Sequence, residues 1–209
     1  MAQKEDILEQ IVEEYLIHKG YFVQHNIKYR PDRKHPDFVT QQDAVHSDID
    51  VLAINPKLSG PERVFAVNVK SWQGGFDFKA TVSLIEKDND LKKQFGRRRY
   101  RELTIPKWSQ AFRNVIEERT GATKFTHVLA VTLGRGDKTV WECNPRFLKE
   151  TLGNPLKVLT LTEMVEEIEP SITQTPAATD IGRTLQLFRA AGLRPKPTKP
   201  ETSVVLEDN

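Results

Sequence analysis

Cysteine is almost absent from this chain, with Cys143 the only one in 209 residues. A lone thiol cannot form an internal disulfide, and thiolate metal clusters are excluded. It reads as a small buried residue beside Trp141. Long apolar runs are missing too: none approaches the roughly 20 residues needed to span a bilayer. The opening Met1-Ala2-Gln3-Lys4-Glu5-Asp6 has no apolar leader core. A cytoplasmic location and no membrane partner are therefore expected. Charge of one sign is not in excess, because 31 Lys and Arg against 29 Asp and Glu leave +2. There is no internal repeat and no glycine-rich phosphate cradle, and Gly74-Gly75 reads as a turn. His35, Asp37 and His46 lack the spacing of a metal site. A chain with 38% apolar and 29% charged residues can still bury the core of one α/β domain.

Two short segments carry the chemistry. Ser47–Ile54 (SDIDVLAI) and Val64–Lys70 (VFAVNVK) are rich in branched apolar residues with polar groups dropped among them, the pattern of β-strands. Side chains alternate along a strand, so Asp48 and Asp50 share one face of the first segment, and Asn68 and Lys70 one face of the second. If the two strands lie antiparallel, a carboxylate, an amide oxygen and an ammonium meet within a few ångströms. Oxygen ligands suit a hard divalent cation. A lysine beside it can orient a water or stabilise charge on a phosphate.

The flanking segments supply an order of elements. Between Lys4 and Lys19, the residues Ile7, Leu8, Ile11, Val12, Tyr15 and Leu16 mark one helix face, and Gly20 is a helix stop. Glu9 and Glu14 flank the apolar stripe, with Glu13 further out; geometry alone leaves Glu9 and Glu14 both open. Tyr21-Phe22-Val23 begins a strand. Residues 28–46 read as a long connection, and long ordered loops are often functional. Pro106 starts a helix that runs to about Arg119 and closes at Gly121. Residues 125–133 (FTHVLAVTL) form a strand buried on both faces. Residues 139–142 (TVWE) are expected to return as a short strand. Residues 156–161 form another strand, with Thr162 capping a helix over 163–168. A mixed sheet flanked by helices follows.

This order resembles the PD-(D/E)XK nuclease superfamily, whose members include restriction endonucleases and Holliday-junction resolvases. Their signature is an aspartate at a strand end, a gap, then Glu-x-Lys on the next strand, often after an N-terminal helix that carries a glutamate. The resemblance covers residues 4–168 and implies a restriction-endonuclease-like mixed sheet. By that resemblance Asp50, Asn68, Lys70 and Glu9 are the catalytic residues, and Asp50 and Asn68 the ligands of magnesium or manganese. Glu9 falls where resolvase-like members place the helix glutamate, counted back from Gly20. The implied activity is metal-dependent endonucleolytic hydrolysis of phosphodiester bonds, in DNA in preference to RNA. The departure is Asn68, which stands where the family has glutamate. It keeps a carbonyl ligand and loses a charge, so restoring glutamate there is expected to raise magnesium affinity. Glu86 could act as a migrated acid, and Gln73 could offer an amide. The alternative is a nuclease-fold protein that binds nucleic acid or a protein partner without cutting.

A basic run supports a nucleic-acid partner. Lys92, Lys93, Arg97, Arg98, Arg99 and Arg101 fall within ten residues containing no acid, the footprint of phosphate contact. Phe95 and Tyr100 are read as base-stacking or core-anchoring residues. Lys107, Trp108, Arg113 and Arg119 could extend the basic surface. The expected organisation is a nuclease-like domain over residues 1–169, a linker and C-terminal helix over 170–193, and a disordered tail over 194–209. Leu185, Leu187, Phe188 and Leu193 on that helix need a covering surface, the core or a second protomer of a homodimer.

Overall fold

The computed structural model describes residues 6–87, 100–173, 175, 177 and 179–193. Helix α1 (Ile7–His18) starts where the Asp6 carboxylate accepts the Leu8 N–H at 2.8 Å. It ends at Gly20, whose φ of 82° is open to glycine without a Cβ penalty. Strand β1 (Phe22–Tyr29) follows, then a long connection holding the short helix α2 (Thr40–Asp43). β2 (Ser47–Ile54) and β3 (Val64–Lys70) come next, at the positions read from the sequence. Beyond them lie β4 (Phe76–Asp77), α3 (Phe78–Lys87), a 3₁₀ turn (Arg101–Leu103) and α4 (Pro106–Thr120). The chain continues with β5 (Thr126–Val131), β6 (Gly134–Arg135), α5 (Thr139–Glu142) and α6 (Pro145–Glu150). It closes with β7 (Leu156–Thr160), α7 (Leu161–Ile168) and α8 (Asp180–Ala190).

Five strands form one mixed sheet in the order β1-β2-β3-β5-β7. The β1–β2 and β2–β3 pairs are antiparallel, and β3–β5 and β5–β7 are parallel. Alternation along β3 sends side chains into two layers. Phe65, Val67 and Val69 pack with Leu8, Val12 and Leu16 of α1 and Met164 of α7. Val64 and Ala66 pack with Trp108, Phe112 and Ile116 of α4. The sheet is thus sandwiched between helices, which is why β5 is buried along its whole length. A further aromatic cluster (Phe76, Tyr100, Trp141, Phe147) packs with Leu129 and Val131 of β5 and with Leu156 and Val158 of β7.

Period-two alternation breaks at one place. Ile49 packs on the α4 layer while Val51 packs on the α1 layer, and on β1 Val23 and Ile27 divide in the same way. The ladder skips the position between His25↔Val51 and Ile27↔Ile49, where Asn26 has a φ of 55° and faces Asp50. Both strands turn over there. Strict alternation therefore does not carry from Asp48 to Asp50, and Asp50 sits at the turn-over point.

Three local expectations are corrected. Residues 139–142 form the helix α5, not a strand: Asp137 accepts the Thr139 N–H and hydroxyl and starts a helical turn that buries Trp141. Cys143, one residue beyond, is exposed. The cap of α7 is Thr160, because Thr160 and Glu163 form a reciprocal capping box three residues apart. Thr162 lies within the first turn.

Candidate active site

The β2–β3 ladder ends at Val51↔Val67, and beyond it the strands splay. Continuing the register puts Asp50 opposite Asn68. In place of a ladder bond, Asp50 Oδ2 accepts the Val69 N–H at 2.6 Å. The carboxylate is thus held by the backbone of β3 just past the end of the ladder. Lys70, at the end of β3, donates from Nζ to the Val69 carbonyl at 2.8 Å and stands 3.9 Å from Asp50 Oδ2. Side-chain exposures of 23% for Lys70 and 18% for Asp50 leave both reachable from solvent. Burial pushes the Asp50 carboxyl above its ordinary value; Lys70 and the Val69 N–H pull it back, while Asp48 and Glu102 add to the rise.

Glu9 joins them from the first turn of α1. Its carboxyl is pushed up to about 7, first by burial and then by Asp50, Asp6 and Asp48, with Lys70 opposing. Glu14 is committed elsewhere. It is buried, 3.1 Å from His18 Nε2, and accepts a hydrogen bond from the Thr179 hydroxyl ahead of α8. Glu13 pairs with His25 at 3.3 Å. Of the two glutamates the helical pattern left open, Glu9 is the one that feels Asp50.

Asn68 has a partner that no short-range pattern indicates. Its Nδ2 donates to Glu102 Oε1 at 2.7 Å, while its Oδ1 is buried with no hydrogen-bond partner. Glu102 sits in the 3₁₀ turn at 3% exposure. The Tyr29 hydroxyl approaches its Oε2 at 3.4 Å, and His127 Nε2 lies 3.7 Å from its Oε1. Burial and Glu102 drive the Tyr29 phenol well above its ordinary value, so it remains a donor. Sequence reasoning missed Glu102, whose only local signal is an acid that follows a basic run. Glu86 is exposed on α3 and Gln73 is exposed after β3.

The basic segment divides. Lys92, Lys93, Arg97, Arg98 and Arg99 lie outside the described residues, as does Phe95. The Arg101 guanidinium stacks 3.6 Å over the Trp108 ring. Tyr100 is an anchor, buried against Trp141 at 5.0 Å between ring centroids. Lys107 is taken by Asp43 at 2.6 Å and by the Asp37 carbonyl at 2.7 Å, and Trp108 is buried with its Nε1 on Asp43. Arg113 caps the Glu150 carbonyl. These three serve the fold and do not extend a basic surface.

Among the described residues, no group of three or more His, Cys, Asp and Glu side chains forms a metal cluster. The oxygens on offer to a cation are the Asp50 carboxylate and the unpartnered Asn68 Oδ1. They are hard donors of the kind magnesium and manganese take, and the orphaned carbonyl fits a ligand role. No helix among the described residues is long and apolar enough to cross a membrane. No protein-family model, curated protein or solved structure matches the chain.

Proposed function

We propose that this chain is a metal-dependent endonuclease that hydrolyses phosphodiester bonds, in DNA in preference to RNA. The observation that carries the reading is the meeting of Asp50 and Lys70, 3.9 Å apart, at the splayed ends of two antiparallel strands. Asp50 and Asn68 Oδ1 would hold magnesium or manganese. Such an ion, when bound, polarises the phosphate and lowers the pKa of a water.

The chain's own residues do the rest. Lys70 Nζ is held against the Val69 carbonyl, which aims its charge across the mouth of the site. There it orients the attacking water or stabilises charge developing on a phosphate oxygen. Asp50, locked by the Val69 N–H, needs no reorganisation to act as a ligand. Glu9, with its carboxyl near 7, exchanges a proton in the neutral pH range beside that ligand. The second reading is a nucleic-acid-binding protein that keeps this fold without cutting, and it is favoured by the uncharged Asn68.

Cleavage of supercoiled, linear and branched DNA with magnesium or manganese tests the reading. Lys70→Ala is expected to lower the rate by about 10²–10³, and Asp50→Ala to abolish cutting, with both variants still folded. Undiminished cutting by Lys70→Ala removes this site assignment. Wild type that binds DNA and does not cut leaves the second reading.

A further inference from the structure

Asn68 Oδ1 is a buried polar atom of the site without a hydrogen-bond partner, as are both ring nitrogens of the neighbouring His127. Asn68 is 6% exposed, so water does not satisfy Oδ1 from outside. A buried acceptor left unpaired costs about 1–3 kcal/mol, so Oδ1 calls for a water or an ion to complete it. The other end of the amide explains its direction. A carboxylate oxygen only accepts, so the amide hydrogens must face Glu102 and the carbonyl must face the other way. Extending the β2–β3 ladder one step past its last pair, Val51↔Val67, brings Asp50 level with Asn68. Glu102 is incomplete as well. It accepts hydrogen bonds from an uncharged amide at 2.7 Å and a phenol at 3.4 Å, with His127 Nε2 3.7 Å from the same Oε1, and a buried carboxylate is costly where its charge is not fully compensated.

One arrangement resolves both. We propose that Asn68 and Glu102 work as a unit in which Glu102 supplies the negative charge missing from position 68 and turns Asn68 Oδ1 toward Asp50 as a neutral ligand for a divalent cation. Glu102 is then a positioning residue, and Asn68 is the group that touches the ion. The acid stands on the Arg101–Leu103 turn and not on β3, and the hydrogen bond transmits its effect. This rests on the metal-dependent reading above.

Manganese binding to the full chain, measured without nucleic acid by calorimetry and by the paramagnetic resonance of free Mn²⁺, separates the two. Glu102→Gln lets the amide of Asn68 flip and removes the charge. It is expected to weaken Mn²⁺ binding by about 10–100-fold, the usual effect of losing a group that orients a ligand. The double variant Asn68→Asp with Glu102→Gln keeps the hydrogen bond and the charge with their ends exchanged. It is expected to bind Mn²⁺ at least as tightly as wild type, a rescue that a merely structural role would not produce. Melting in EDTA reports folding independently of the ion. Glu102→Gln that folds and binds Mn²⁺ like wild type overturns the inference, as does a folded double variant that binds more weakly than wild type. Folded wild type that binds no Mn²⁺ overturns the metal-dependent reading itself.

Discussion

Two single residues set the electrostatics of the site in opposite ways. Glu9 has an ordinary carboxyl value of 4.5 that rises to about 7, chiefly through burial and then through Asp50. Between those values the folded chain holds a proton that the unfolded chain has released. Its stabilising effect is complete below 4.5 and is lost as pH rises through about 7. Urea denaturation in EDTA between pH 5 and pH 8 is expected to show stability falling with pH, and Glu9→Gln should flatten that fall. Asn68 reverses a simple expectation. Glutamate at this position would complete the Glu-x-Lys pattern that the sequence resembles and on the sequence alone should strengthen magnesium binding. In the fold it would push a second carboxylate against Glu102, whose Oε1 is 2.7 Å from the Asn68 amide nitrogen. Asn68→Glu is therefore expected to destabilise by about 2–4 kcal/mol with no gain in cleavage, as denaturant midpoints and a plasmid assay would show.

Elements are held in register around the site by buried polar ties that link distant parts of the chain. One of them joins the 28–46 connection to α4. Asp43, 1% exposed, accepts from Lys107 Nζ at 2.6 Å, Trp108 Nε1 at 2.9 Å and the Val39 N–H at 2.8 Å. Burial alone would raise its carboxyl, but these three donors hold it below the ordinary value. Asp43→Ala would leave the Lys107 ammonium, 11% exposed, with the Asp37 carbonyl but without its charged partner. A loss of about 3–5 kcal/mol is expected, read as a lower denaturant midpoint. The tie explains why a polar, proline-bearing connection is ordered. It also explains why Lys107 and Trp108, which look like part of a basic surface in sequence, are interior groups. At the other end of the molecule, Leu185 of α8 packs on the α1 layer, while Leu187 and Phe188 remain 69% and 49% exposed. The core takes only part of that helix face.

For the whole molecule, the electrostatic argument lies in distribution and not in a net charge of +2. Neutralising Arg97, Arg98 and Arg99 together is expected to weaken DNA binding and to flatten its salt dependence, by about one unit of log–log slope per lost phosphate contact. Titrations over a range of salt concentrations would check it, and an unchanged slope would make the run an ordinary solvated face. The sequence by itself determined α1, β1, β2, β3, α4, β5 and β7, because each rests on local periodicity and on punctuation such as Gly20 and Gly121. It also set Asp50 on β2 and Lys70 at the end of β3, two strands that the structure pairs antiparallel. The residues 139–142 escaped it because β-branched Thr and Val mimic a strand, while burial of Trp141 among Phe76, Tyr100 and Phe147 selects a helical turn. Only the tertiary structure set Glu9 near Asp50 and Glu14 against His18 and Thr179, turned β2 over at Asp50, and joined Asn68 to Glu102 across 34 positions. Local pattern reports which face a residue shares with its neighbours along the chain. It carries no information about which buried groups meet when layers pack, and the partner of Asn68 was settled by that packing.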